Sequence, residues 1–255
     1  MALEIHQFPA RSDNYGVLIH DSESGMTASI DAPEAKAVKS ALVEKGWRLT
    51  HIFTTHHHHD HTEGNAALKS ETGCEIIGPR GDAAKIPTLD RQIGDGDTFR
   101  FGNTEVQVLE TPGHTLGHIS YFIPEAKVAF VGDTMFAMGC GRVFEGSHEM
   151  MWHSLSKLRA LPADTTIYAG HEYTLANAQF ALTIEPDNVA LKARTAEVEA
   201  LRGQGKPTLP TTLAKELATN PFMRAGEREV KAALGMADAA DWQVFSEMRT
   251  RKDNA

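Results

Sequence analysis

The stretch TTHHHHDHTEG, residues 54–64, decides how the rest of the chain is read. It continues the β-rich run LTHIFTTH (49–56) and leads into TEGNAALKSETG (62–73), which has the pattern of a helix closed by Gly73. Off the end of a strand, side chains at i and i+2 point the same way, so His56 and His58 are expected on one face and His57 and His59 on the other. Asp60 and His61 follow where the chain turns into the helix. The pattern is HxHxDH: two imidazoles on one side, then a carboxylate and an imidazole a turn later. Neutral imidazole and carboxylate are the usual ligands of zinc and similar borderline metals. Six consecutive ligand-type residues, His56 to His61, point to a metal rather than to a solvated polar loop.

Three more candidates stand at the ends of other strand-like runs. His114 lies in the Pro-Gly loop of ETPGHTLGHIS (110–120), Asp133 follows the apolar run KVAFVG (127–132), and His171 lies in IYAGHEYT (167–174). Loops at strand ends carry chemistry on a rigid scaffold. Alone, His114 reads as a turn residue, Asp133 as an Asx-turn and His171 as a core histidine. With the HxHxDH run they make seven candidate ligands. A single tetrahedral ion needs four, so seven suit two metals that share a carboxylate.

The surrounding chain has 255 residues, 41% hydrophobic and 23% charged, which is enough for a sizeable core. Up to about residue 173, short strand-like runs alternate with helices such as PEAKAVKSALVEKGW (33–47) and EMMWHSLSKLRALP (149–162). Beyond it the texture is helical, in TLANAQFALTIE (174–185), DNVALKARTAEVEALRGQG (187–205) and ADAADWQVFSEMRTRKD (237–253), and GQGKPTLPTT (203–212) reads as loop. The expectation is an α/β domain over 1–173 and a helical C-terminal domain over 174–255. The net charge of −9 argues against nucleic acid and anionic membranes as partners. No signal peptide or apolar span is visible, and two cysteines, Cys74 and Cys140, make no disulfide framework, so a cytoplasmic protein is expected. The basic run RTRK (249–252) departs from the acidic balance.

HxHxDH followed by a distant His, Asp and His resembles the metallo-β-lactamase superfamily. SDNY (12–15), THHHHDHTEGN (55–65), TPGHTLGHI (111–119), GDTMFAMGCGRVFEG (132–146), GHEYT (170–174), NPFMR (220–224) and RTRKD (249–253) narrow the likeness to the glyoxalase II, or hydroxyacylglutathione hydrolase, family. The resemblance implies an α/β fold, an αββα sandwich with a helical C-terminal domain. It implies two divalent metal ions, zinc foremost with iron or manganese as alternatives. His56, His58 and His114 would hold one, Asp60, His61 and His171 the other, and Asp133 would bridge them. His57, His59 and His118 are left in supporting or solvent-facing places.

The implied activity is hydrolysis of an S-(2-hydroxyacyl)glutathione, chiefly S-D-lactoylglutathione, by a water that two metals make acidic and that Asp60 orients. Glutathione conjugates are net anionic, and the resemblance gives Arg142, Phe144, Tyr173, Arg249 and Lys252 as the residues that grip them. Arg249 and Lys252 are three apart and share a helix face. Phe144 stands where the family usually has Tyr, so one hydroxyl contact is missing. A monomer is expected. The rival enzyme is a persulfide dioxygenase, which shares the fold and HxHxDH but uses a single iron and lacks the long helical C-terminal part. A β-lactamase gives the C-terminal helices no role, and a metal-storage protein does not explain the dispersed His114, Asp133 and His171.

Overall fold

Short β-rich runs, several of them buried along nearly their whole length, build the first half of the chain. The computed structural model describes residues 3–255. Its residues fall into two units, one comprising the chain up to Glu110 with Thr115–Gly132, the other Thr111–His114 with Asp133–Ala255.

In the first unit, β1 (Leu3–Ala10), β2 (Asn14–Asp21) and β3 (Met26–Ile30) pair antiparallel. Helix α1 (Ala35–Lys45) then crosses over to β4 (His51–Phe53), which lies parallel to β3. The short α2 (His59–Thr62) and α3 (Asn65–Thr72) lead to β5 (Glu75–Pro79), and β6 (Arg91–Ile93) completes a six-stranded sheet in the order β1-β2-β3-β4-β5-β6. Gly46 and Gly73 end α1 and α3 in the left-handed conformation, as their positions in the sequence predict. A second, antiparallel run follows: β7 (Thr98–Phe101), β8 (Thr104–Glu110), β9 (Ile119–Ile123) and β10 (Val128–Phe130).

Neighbouring residues of β4 show how the layers form. Ile52 packs with Val38, Leu42 and Leu68 of α1 and α3. Phe53 points the other way and meets the rings of Phe99, Phe101 and Tyr121 on the second run of strands. The Tyr121 hydroxyl donates to the Thr54 carbonyl at 2.7 Å, which pins the chain one residue past β4. The rigid strand end from which the histidine run departs is thus held from both faces.

The second unit begins with the hairpin β11 (Met135–Phe136) and β12 (Gly139–Cys140), then α4 (His148–Arg159) and β13 (Thr166–Tyr168). Helices α5 (Thr174–Ile184) and α6 (Val189–Gly203) pack around Met138, Ala178, Ala181, Leu191 and Val198. The strand β14 (Thr211–Thr212) follows, then α7 (Leu213–Thr219), α8 (Arg228–Ala233) and α9 (Asp241–Asp253). The sequence reads 203–212 as loop without strand, yet Thr211 and Thr212 pair with Ile167 and Thr166 of β13. Two residues carry no periodicity to read, and their partner is some 45 residues away. Side chains of Ser147, Asn188 and Thr212 cap α4, α6 and α7. The buried Arg194–Glu216 pair, with Glu216 also accepting from the Met138 N–H at 2.8 Å, ties α6 and α7 to the hairpin turn. No helix among the described residues is long and apolar enough to cross a membrane.

Candidate functional site

In the first unit, the chain leaves β4 at Phe53, three residues before His56. The loop is ordered by a buried carboxylate rather than by the strand. Asp31, just past β3, accepts from the Thr55 N–H at 2.7 Å, from the Thr55 hydroxyl at 2.9 Å and from His61 Nδ1 at 2.8 Å. Since the Thr55 hydroxyl donates to Asp31, its oxygen is left to accept from His56 Nδ1, 3.0 Å away. Both His56 and His61 therefore carry their proton on Nδ1, which leaves Nε2 unprotonated, the tautomer that coordination through Nε2 needs.

His56 Nε2 lies 3.1 Å from His58 Nδ1, and the rings of His56 and His61 lie 4.2 Å apart. His61 Nε2 lies 3.6 Å from Asp60 Oδ2, which also accepts from Asn14 Nδ2 at 3.1 Å. His57 turns away to Asp82, and His59 is exposed and paired with Glu63 at 3.3 Å. His118 is fully buried and stacks on His56 with ring centroids 4.8 Å apart. The division of the run into His56 and His58 against His57 and His59 holds, but its cause is the anchoring of Thr55 and His57 and not the pleat of a strand.

In the second unit, Asp133 Oδ2 lies 3.4 Å from His114 Nε2 and 3.4 Å from His171 Nε2. His114 Nδ1 donates to the Arg142 carbonyl at 2.8 Å, so here too Nε2 is bare. The ring of His171 lies flat on Tyr173, at 4.7 Å and 5°, and Phe136 meets both edge-on. Gly141 makes this approach possible, because a Cβ there would fall 1.9 Å from the Asp133 carbonyl oxygen and 3.2 Å from His114 Nδ1.

The donor sets fit divalent ions. Two ligand atoms about 2.05 Å from a tetrahedral ion lie about 3.3 Å apart. The separations of 3.4 Å from Asp133 to each imidazole, and 3.1 Å between His56 and His58, match that spacing.

The expected substrate-gripping residues lie in the second unit. Phe144 is 61% exposed, with its ring against His114 and the Arg142 guanidinium 5.9 Å above it. Arg142 pairs with Asp253 at 3.2 Å. Arg249 and Lys252 both sit on α9, but they differ. Arg249 is buried and donates to the Cys140 carbonyl at 3.1 Å and to Asp253 at 2.8 Å. Lys252 reaches Asn177 Oδ1 and lies 5.1 Å from the Phe180 ring centroid. Burial, with Arg249 nearby, lowers the Lys252 pKa to about 8. Burial likewise raises the Cys140 thiol, which suits a packing role.

Sequence reasoning missed two carboxylates. Asp31 stands at a strand end in SIDAP (29–33), the same kind of place that singled out Asp133, and could have been found. Asp82 in PRGDAAK (79–85) looks like any surface turn.

Residues 23–171 match the model of the metallo-beta-lactamase superfamily, and residues 172–255 match the hydroxyacylglutathione hydrolase C-terminus. Over 251 residues the chain is 59% identical to the hydroxyacylglutathione hydrolase of Brucella ovis, covering 98% of each. The corresponding protein of Brucella canis is also 59% identical, covering 98% of this chain and 96% of that one. Among solved structures, ETHE1 from Myxococcus xanthus superposes with a TM-score of 0.68 at 27% identity, covering 97% of this chain and 90% of that one. The BLEG-1 B3 metallo-beta-lactamase, at 19% identity, TM-score 0.64 and coverage of 86% and 99%, shares the fold. The two model matches, over residues 23–171 and 172–255, and the identity of 59% over 98% of the chain place it in the hydroxyacylglutathione hydrolase family of the metallo-β-lactamase superfamily.

Proposed function

We propose that the chain is a metal-dependent thioester hydrolase that converts S-(2-hydroxyacyl)glutathione, S-D-lactoylglutathione foremost, to glutathione and the 2-hydroxy acid. The observation that carries this reading is identity of 59% across nearly the whole length to hydroxyacylglutathione hydrolases, including the C-terminal part that the persulfide dioxygenase reading expects to be absent. The superfamily implies divalent metal ions, and the histidine and aspartate donors described above are suited to hold them. His56, His58 and His114 would hold one ion and Asp60, His61 and His171 a second, with Asp133 shared; zinc, iron and manganese all suit these donors.

When bound, such ions lower the pKa of a coordinated water toward ~7 and polarise a carbonyl oxygen. The protein's own part is to orient. Asp60, whose Oδ2 accepts from Asn14, would accept a hydrogen bond from the attacking water. Asp31 and the Arg142 carbonyl hold the imidazoles in the tautomer that leaves Nε2 bare. Water adds to the thioester carbonyl and releases a proton to solvent, the C–S bond breaks, and its electron pair leaves on sulfur as thiolate, whose parent thiol has a pKa of ~8.5 and needs no strong acid to depart. The glutathione carboxylates meet the positive charge of Arg142, Arg249 and Lys252, with Phe144 and Tyr173 supplying flat contact surface. Arg249 gives its charge from a buried, internally bonded position, while Arg142 is the most exposed of the three. We assign the enzyme to the cytoplasm, as a monomer, at the second step of methylglyoxal detoxification.

The test is metal analysis of the purified protein alongside turnover. Two metal ions per chain, hydrolysis of S-D-lactoylglutathione and no oxygen uptake support the reading. One iron per chain with oxygen uptake on a persulfide would replace it with the dioxygenase.

A further inference from the structure

One buried carboxylate in the first unit takes no part in the reaction as described. Asp82 lies in the 3-10 turn Arg80–Lys85 and is 1% exposed. Its Oδ2 accepts from His57 Nδ1 at 2.9 Å, from the His57 backbone N–H at 3.3 Å and from the Thr115 hydroxyl at 2.9 Å. Its Oδ1 accepts from the Gly117 N–H at 3.1 Å. Four donors nearly fill the lone pairs of a carboxylate, which is the condition for burying one.

The identity of those donors matters more than their number. His57 sits between His56 and His58, and its N–H belongs to the peptide that joins it to His56. Holding that N–H and turning the His57 ring aside fixes the backbone on which both neighbouring rings are mounted. Thr115 and Gly117 belong to a different loop, which begins one residue after His114. The approach of the two loops is built for: a Cβ on Gly81 would fall 2.8 Å from Gly117 Cα, and one on Gly117 would fall 2.4 Å from the Asp82 nitrogen and Oδ1. A side chain on Gly117 would move the carboxylate, and one on Gly81 would push Gly117 away from the turn.

We propose that Asp82 is a positioning residue, which sets the spacing of the His56–His58 ligand pair through His57 and ties the segment after His114 to the same point. The proposal rests on the reading of His56 and His58 as metal ligands. On it, His57 is an anchor, and its place in the run of four histidines follows from the need for a ring that points at Asp82.

The experiment is equilibrium zinc binding to the metal-free protein, by competition with a chromophoric chelator, with a thermal melt of the same metal-free sample. Asp82→Asn keeps the shape and one acceptor oxygen, but its amide nitrogen cannot accept from the donors on the other side. It is expected to melt cooperatively and to bind at least one of the two ions 10-fold or more weakly, within the ~10–100-fold typical of removing a ligand's supporting partner. His57→Ala, which removes one of the four donors, should show a loss no larger than that of Asp82→Asn, and the double variant should be no weaker than Asp82→Asn alone, because the His57 ring acts only through Asp82. Gly117→Ala, which displaces the carboxylate from the opposite side, should reproduce the loss. Wild-type zinc affinity in Asp82→Asn overturns the proposal. So does a double variant whose loss is the product of the two single ones, since Asp82 would then be acting on the fold at large. Failure of the wild-type protein to bind zinc would overturn the ligand reading beneath it, and is told apart because it precedes any substitution.

Discussion

Replacing Asp31 by Asn tests whether the histidine tautomers are set by the protein. The left-handed conformation at residue 31, with φ 56°, is one that Asn tolerates, so the backbone has no new strain to absorb. The hydrogen bonds change. Asp31 Oδ1 accepts from the Thr55 N–H, and Oδ2 accepts from both the Thr55 hydroxyl and His61 Nδ1. An amide can place its oxygen on one side only. If it keeps the Thr55 N–H, its NH2 faces two donors, and the Nδ1 proton of His61 must move to Nε2 or remain unpaired. A hydrogen bond to a charged group contributes about 1.5–3 kcal/mol, and a buried donor left unpaired costs about 1–3 kcal/mol. The loss of two such contacts on the Oδ2 side gives a destabilisation of about 3–5 kcal/mol. Moving the proton to His61 Nε2 blocks the ligand nitrogen, so metal affinity should fall about 10–100-fold as well. Chemical denaturation of the metal-free protein reads the first quantity, and chelator competition reads the second. An Asp31→Asn protein that binds both ions as tightly as wild type would refute the tautomer argument, whatever its stability.

Asp133→Ala removes the carboxylate that faces both His114 and His171, and should lower metal content to one ion or none per chain with loss of most activity; elemental analysis showing two ions would remove Asp133 from its shared place. Gly141→Ala places a Cβ 1.9 Å from the Asp133 carbonyl oxygen, and should lower both the melting temperature and the metal content, measured by thermal melt and elemental analysis; a variant unchanged in both would show that the loop yields freely. Lys252 has a pKa of about 8, below its ordinary value, because burial disfavours its charge. Its positive form is therefore present below pH 8 and lost above it, so kcat/KM for the glutathione thioester should fall through about pH 8, and Lys252→Met should remove that limb of the profile.

The chemistry of the site is legible in the chain because ligand type and strand-end position survive in one dimension. As candidates, His56, His58, Asp60 and His61 stand out by adjacency, and His114, Asp133 and His171 by their places at the ends of strand-like runs. The reason for their geometry is not legible. The chain leaves β4 before the histidines begin, so no strand period governs them. What orders them is Asp31, some 25 residues earlier, and Asp82, some 25 residues later, through contacts that depend on how the sheet brings β3, β4 and β5 together. The same limit hid β14, which exists only because β13 lies beside it. Arg249 shows a subtler case. Its spacing from Lys252 places the two on one helical side, but the guanidinium is buried, donating to the Cys140 carbonyl and to Asp253 four residues on.

The most direct test of the assigned reaction compares kcat/KM for S-D-lactoylglutathione with that for the D-lactoyl thioester of a small neutral thiol, at equal metal loading. The acyl group and the bond broken are the same, so the ratio isolates what the protein gains from the glutathione moiety. Charge-assisted contacts to its carboxylates at about 1.5–3 kcal/mol each predict a preference of about 10–100-fold or more for the glutathione thioester. Equal kcat/KM for the two substrates in a fully metal-loaded enzyme would contradict the account, leaving a thioesterase with no claim on glutathione.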